Sequence, residues 1–242
     1  MKPTLWTFGC SFTAEWGPLD NNPPNNYDLY KEWRGGTLPD VWPTILGQLL
    51  DMNVQNKAEG ANGNDKIFMQ FCNSSHLIKK GDIVIVGWTH ILRYMMAGTD
   101  NKLLVNILPS MSYPQYDKNT IENILINRDF SIWYFQIVSY VKMIINYCSV
   151  VGADFYFWTS DLNMFKNVKK HINPKYYNRF MHDGYTDIFS CVSNTYVDLA
   201  KGGLQIFNET NEEIEDYHFG ELGHKLQADL IYNHIIENEK NI

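Results

Sequence analysis

The residues of this chain that could do chemistry lie near its two ends. Close to the amino terminus, Gly9-Cys10-Ser11-Phe12-Thr13 follows the apolar run Leu5-Trp6-Thr7-Phe8. A strand that stops at a glycine and then presents a serine holds an Oγ at the carboxyl edge of a sheet. Open α/β folds place their ligands at that edge. Near the other end, Glu215-Asp216-Tyr217-His218 sets two carboxylates just before a histidine, and a helix start follows around Gly223-His224. Taken alone, Ser11 reads more readily as the serine of an ordinary strand-to-loop turn. The distant acid–histidine pair makes it a candidate nucleophile, with His218 as base and either Glu215 or Asp216 as the group that orients the imidazole.

Two further stretches carry residue types suited to the same chemistry. Asn56-Lys57-Ala58-Glu59-Gly60-Ala61-Asn62-Gly63-Asn64-Asp65 packs glycines and asparagines into a short turn ahead of a helix reaching about His76, with Asp65 placed to cap it. A turn that feeds a helix exposes backbone N–H groups, which can bind an oxyanion. Ile83-Val84-Ile85-Val86 is a continuous apolar run, as expected of a strand buried on both faces of a parallel sheet. It leads into Gly87-Trp88-Thr89-His90, again at a strand end. His224 reads as a helix-start residue, and His90 either points into the cleft or caps the next helix.

The elements that must position these residues follow from periodicity. Short strands are expected at 5–8, 52–56, 83–86, 155–158 and 204–207. Helices are expected over 41–50, 65–76, 130–150 and from Leu222 to Ile235, and 162–203 reads as mostly helical. Strands that alternate with helices predict a parallel sheet covered on both faces, with strand ends gathered on one rim. One domain spanning 1–242 is expected, interrupted by irregular insertions at about 15–43 and 95–129. Insertions of that length are commonly binding loops.

Composition excludes several classes. The net charge of −7 argues against a nucleic-acid binder, since phosphate contacts need clustered Lys and Arg. Lys166, Lys169, Lys170 and Lys175 form one basic cluster, read as a solvated face. Cys10, Cys72, Cys148 and Cys191 make no CxxC. The last three sit among apolar neighbours and read as buried thiols in a reducing compartment. Asp216, His218 and His224 lack the further ligands a metal site needs. No charged-then-apolar leader precedes the first strand, and no apolar run approaches the ~18 residues of a membrane span. A cytoplasmic protein without membrane contact is therefore expected. Trp16, Tyr27, Tyr30, Trp33 and Trp42 lie in polar stretches and would suit a sugar-facing cleft, because an aromatic face covers the apolar side of a pyranose.

Taken together, the blocks resemble the SGNH hydrolases, also called the GDSL esterase/lipase superfamily. Gly9-Cys10-Ser11 matches the family's Gly-Asp-Ser block, with Cys10 in place of the aspartate. The stretch from Asn56 to Ile67 matches the second block and makes Gly60 the oxyanion glycine. Gly87-Trp88-Thr89-His90 falls on the third, normally Gly-x-Asn-Asp, so Thr89 stands where the oxyanion asparagine should be. Glu215 to His224 falls on the last, normally Asp-x-x-His; Glu215 is three residues before His218 and Asp216 two. The variants resemble a divergent branch found among tailed-phage and bacterial proteins.

The resemblance implies an α/β, three-layer, flavodoxin-like fold with a central parallel sheet and helices on both faces. It implies a Ser11–His218–acid hydrolase of small O-acyl esters, including O-acetylated carbohydrate. The N–H groups of Ser11 and Gly60, with Asn62, Thr89 or His90 nearby, would line the oxyanion and substrate site. No metal or organic cofactor is implied. The competing reading keeps the fold but little of the chemistry, as a phage-associated carbohydrate-binding or structural protein. Ser11 and His218 favour the enzyme, and Thr89 favours the binder.

Overall fold

The computed structural model describes residues 2–15, 31, 36–60, 62–89, 93–97, 104–107, 130–159, 162–181, 206–207, 213–214 and 221–239. Four strands form the central sheet: β1 (Thr4–Phe8), β2 (Asn53–Asn56), β3 (Ile83–Trp88) and β6 (Asp154–Thr159). Their order is β2-β1-β3-β6 and every pairing is parallel. The chain runs from β1 outward to β2, then returns to the other side of β1 to form β3. That reversal makes the gap between β1 and β3 a topological switch point, where loops diverge and leave a crevice.

The strand sequences explain why the sheet is covered on both faces. Successive side chains point to opposite faces, and here both faces are apolar. Leu5, Ile83, Ile85, Tyr156 and Trp158 face one side, where α1 (Trp42–Leu49) and α5 (Glu221–Glu239) contribute Trp42, Leu46, Ala228, Ile231 and Ile235. Trp6, Phe8, Val84, Val86, Phe155 and Phe157 face the other. They meet α2 (Asn64–Ser75), α3 (Phe130–Val151) and α4 (Leu162–Lys169) through Ile67, Phe71, Val141, Ile144 and Phe165. This is the expected three-layer α/β arrangement. Among the described residues no helix is long and apolar enough to cross a membrane.

Several expectations change. The stretch read as irregular at 95–129 carries part of an antiparallel hairpin, β4 (Tyr94–Ala97) with β5 (Leu104–Ile107). Its four-residue strands show no apolar–polar alternation, so periodicity could not reveal them. Ile206–Phe207 (β7) pairs antiparallel with Glu213–Ile214 (β8), away from the central sheet. The segment after α4 continues as a 3-10 helix, Pro174–Arg179, with Asn173 accepting the Lys175 N–H at its start. Cys72 is exposed on α2, whereas Cys10 and Cys148 are buried free thiols. Trp42 is fully buried, edge-on to Trp158 at 6.4 Å, and so is no sugar platform.

At the amino edge of the sheet, Asp82 ties β1 to the turn that starts β3. Its buried carboxylate accepts the Thr4 N–H at 2.8 Å, the Trp6 Nε1–H at 3.0 Å and the Lys79 N–H at 2.9 Å. Removing that acceptor strands three donors at once. Asp82→Ala should lower stability by about 3–5 kcal/mol, whereas Cys72→Ser on the exposed side of α2 should change it by less than about 0.5 kcal/mol. Urea unfolding of the two variants checks both values.

Candidate active site

The first block folds as a strand end followed by one tight turn. β1 stops at Phe8, and the Cys10 carbonyl accepts the N–H of Thr13 at 2.8 Å and of Ala14 at 3.0 Å. Ser11 is the first residue inside that turn and is half-buried. Gly9 is required by close approach: a Cβ there would lie 2.4 Å from Thr13 Oγ1 and 3.3 Å from the Gly87 carbonyl oxygen. The Ser11 turn thus folds back on its own strand end and lies against β3.

The second block is fastened to the first through side-chain amides. Lys57 N–H donates to the Thr7 carbonyl at 2.8 Å, which extends the β1–β2 pairing. Asn56 sits at the centre of this junction. Its Oδ1 accepts from Thr7 Oγ1 at 2.9 Å and from Ala58 N–H at 3.1 Å. Its Nδ2 donates to the Thr13 carbonyl at 2.7 Å. One carboxamide therefore touches the strand, the second-block loop and the Ser11 turn. The Gly9 carbonyl accepts the Glu59 N–H at 3.3 Å and Asn62 Nδ2 at 3.2 Å. Gly60 follows Glu59 directly and is exposed, and a Cβ on it would meet no atom within 4 Å. Packing does not demand a glycine here, and the space a side chain would take is open.

Asn62 is completely buried, and its amide group donates to the Gly9 carbonyl and to Gln70 Oε1 at 2.9 Å. A carboxamide has two N–H hydrogens, so both are engaged in holding the loop. The third block is held in the same manner. Thr89 is only 2% exposed; its N–H donates to Asn64 Oδ1 at 2.9 Å, and its carbonyl accepts Asn64 Nδ2 at 3.1 Å. The Asn64 carboxamide pairs with the Thr89 peptide as a neighbouring strand would, and so locks the end of β3 to the start of α2. Gly87 lies within β3, and a Cβ on it would fall 2.5 Å from the Trp158 ring.

The structure therefore brings Ser11, Gly60, Asn62 and Thr89 to one rim, on either side of the β1/β3 switch point. Glu215, Asp216, His218 and His90 lie outside the described residues, as do Trp16, Tyr27, Tyr30, Trp33 and Cys191. His224 is described. It is buried in the first turn of α5, and its Nδ1 accepts the Trp42 N–H at 3.2 Å. That bond satisfies a donor at the start of α1, which has no side-chain cap of its own. Trp42 Nε1–H donates to the Phe12 carbonyl at 2.9 Å, which links α5, α1 and the Ser11 turn in one chain of contacts.

Asp65 does not cap α2, whose N-cap is Gly63 with no side-chain bond. It reaches α3 instead, accepting Gln136 Nε2–H at 2.6 Å and the Tyr140 hydroxyl at 2.9 Å. Burial, reinforced by the Asp65 charge, pushes the Tyr140 phenol up to about 12, so it remains a donor. Ring stacking of Tyr140 on Phe68, with centroids 4.1 Å apart, completes the brace behind the second block. Asn56, Asn64, Trp42 and Asp65 are thus the residues that position the candidate site. For Asn64 the consequence is measurable. Asn64→Ala should cost about 2 kcal/mol or more, because it leaves a buried peptide N–H and C=O without partners. Amide hydrogen exchange at Thr89 should accelerate relative to that of Val84.

No protein-family profile and no curated protein matches the sequence. Similar folds occur among solved structures. The Bacillus subtilis protein YxiM aligns with a TM-score of 0.53 and 12% identity over 99% of this chain, which spans 57% of the YxiM chain. A G-D-S-L family protein from Desulfitobacterium hafniense aligns with a TM-score of 0.42 and 12% identity, over 96% of this chain and 98% of its own. A carbohydrate esterase whose active site is described as having divergent catalytic and non-catalytic binding functions aligns with a TM-score of 0.46 and 14% identity, over 96% and 68%. The parallel order β2-β1-β3-β6, the placement of three sequence blocks at its carboxyl rim and the match to YxiM across the chain lead to one assignment. The chain has a three-layer α/β fold with a parallel central sheet, similar to that of YxiM.

Proposed function

We propose that this protein is a serine hydrolase that cleaves small O-acyl esters, with O-acetylated carbohydrate as the substrate class. The observation that carries the proposal is the grip on the Gly9 carbonyl by Glu59 N–H and Asn62, which sets the Ser11 turn and the Gly60 loop side by side at the switch point. Ser11 Oγ attacks the ester carbonyl while His218 takes its proton, with Glu215 or Asp216 fixing the imidazole. The N–H groups of Ser11 and Gly60 receive the developing oxyanion, and the Thr89 hydroxyl is the side-chain donor at the third block. His218 returns the proton to the leaving alcohol, and water then releases the acyl group from Ser11. These steps draw on side chains, backbone N–H groups and water. The aromatic residues Trp16, Tyr27, Tyr30 and Trp33, in a polar stretch of the sequence, favour a sugar over a lipid as the alcohol.

A second reading is a carbohydrate-binding protein of tailed-phage type that keeps the fold and has lost turnover. One observation favours it. Thr89 replaces the amide donor expected at the third block, and the neighbouring Asn62 amide is committed to Gly9 and Gln70. Losing one oxyanion donor typically costs ~10²–10³ in turnover.

Kinetics with p-nitrophenyl acetate and acetylated sugars separate the two. The hydrolase reading expects slow turnover that falls to background in Ser11→Ala and nearly as far in His218→Ala, since such residues act as a unit. Thr89→Asn should raise kcat, by up to ~10²-fold if the amide regains a full donor's effect. Wild-type rates no faster than those of Ser11→Ala across the panel, with glycan binding retained, would replace the enzyme with the binder.

A further inference from the structure

Arg93 stands between the end of β3 at Trp88 and the start of β4 at Tyr94, four residues past Thr89. Four residues span at most about 14 Å, so Arg93 stays close to the carboxyl rim that carries the third block. β4 packs against α2, on the side of the sheet where Phe8, Val86 and Trp88 are buried. Arg93 is half-buried, and its Nη1 is shielded from solvent without a hydrogen-bond partner. None of the ion pairs among the described residues includes it. Arg179 shows the ordinary arrangement. Its Nη2 lies 3.1 Å from Asp154 Oδ1, and its guanidinium stacks over the Tyr156 ring, 4.9 Å from the centroid.

A guanidinium nitrogen enclosed without an acceptor is costly. Arginine keeps its charge inside proteins, so it cannot answer burial by releasing a proton. Buried charges are therefore paired or bound to a ligand. The chain holds 27 Asp and Glu against 20 Lys and Arg, so scarcity of acids is not the reason for the missing partner. Asp65, the acid in the first turn of α2, is engaged by Gln136 and Tyr140. Trp88 adds a second unmatched donor at the same end of the sheet: its indole Nε1–H is buried and has no acceptor. Donors left unmatched by the fold, at the rim where open α/β sheets place their ligands, point to a ligand that supplies the acceptor.

We propose that Arg93 determines substrate choice at the candidate active site by binding a carboxylate on the sugar, a role that rests on the hydrolase reading for the ester it accompanies. The planar guanidinium presents parallel N–H groups that match the two oxygens of a carboxylate. One arginine suits one such group. A polyanion would need clustered cations and would be repelled by the net charge of −7. The substrate class narrows from acetylated carbohydrate to acetylated uronic acid.

Binding is measured in Ser11→Ala, so that the outcome does not depend on turnover. Calorimetric titration with galacturonate should show saturable binding about tenfold or more tighter than with galactose, the effect of one charge-assisted hydrogen bond. Arg93→Gln in the same background should erase that preference. Arg93→Lys should restore only part of it, because an ammonium lacks the planar fork. Thermal unfolding separates binding from a structural role. Without ligand, Arg93→Gln should match or exceed its parent in Tm, since an unpaired buried charge is removed. Galacturonate should raise the Tm of the parent and not that of the variant. Galacturonate binding with no turnover by wild type would sink the hydrolase reading and leave the Arg93 assignment standing. No binding of either sugar, equal affinity for the two, or a preference that survives Arg93→Gln would overturn the assignment. So would tighter binding of galactose 6-phosphate than of galacturonate, or a fall in Tm of about 3 °C or more in Arg93→Gln.

Discussion

At Gly9 the chain leaves the sheet, and its carbonyl accepts the Glu59 N–H and the Asn62 amide. Most of the candidate site depends on this small junction. A parallel sheet ends in backbone groups with no strand left to pair with, and buried groups of that kind are costly unless satisfied. Here they are satisfied by asparagine side chains. Asn56 serves the ends of β1 and β2, Asn62 serves Gly9 and Asn64 serves Thr89. Each carboxamide offers a donor and an acceptor in the geometry of a peptide. The three together continue the sheet's hydrogen bonding into loops that must remain irregular to leave a crevice.

The packing beneath makes that junction stiff. Both faces of β1, β3 and β6 are buried, so the strand ends cannot tilt without disturbing two layers of helices. Trp42 and His224 connect the layer of α1 and α5 to the Ser11 turn, while Asp65 and Tyr140 connect the layer of α2 and α3 to the second block. A stiff frame matters for this chemistry, because donors aimed in advance at a developing oxyanion need no rearrangement during reaction.

How much of this was legible in the sequence depended on the kind of signal. β1, β3, β6 and α3 were plain, because burial on defined faces writes a periodic apolar pattern. The blocks at Ser11, Gly60 and Thr89 were plain because glycine and asparagine clusters mark special turns. The hairpin of β4 and β5 was missed, since its short strands lack alternation. Trp42 was misread as a surface ring because it borders the polar stretch ahead of α1, although its own ring fills the core beside Trp158. Cys72 was misread because it follows Phe71, which enters the core, whereas Cys72 itself points outward. The positioning roles of Asn56 and Asn64 have no sequence signature. They arise from contacts between residues 25 to 49 positions apart, which only the folded chain brings together.

The central claim is that the fold presents Ser11 as a nucleophile beside a backbone oxyanion site. The most direct measurement is a crystal structure of the protein after reaction with a fluorophosphonate, supported by intact mass. The account predicts one phosphonyl group per chain on Ser11 Oγ, with its phosphoryl oxygen within hydrogen-bonding distance of the Ser11 and Gly60 N–H groups. An unlabelled Ser11, or a label whose oxygen points away from Gly60, would contradict it.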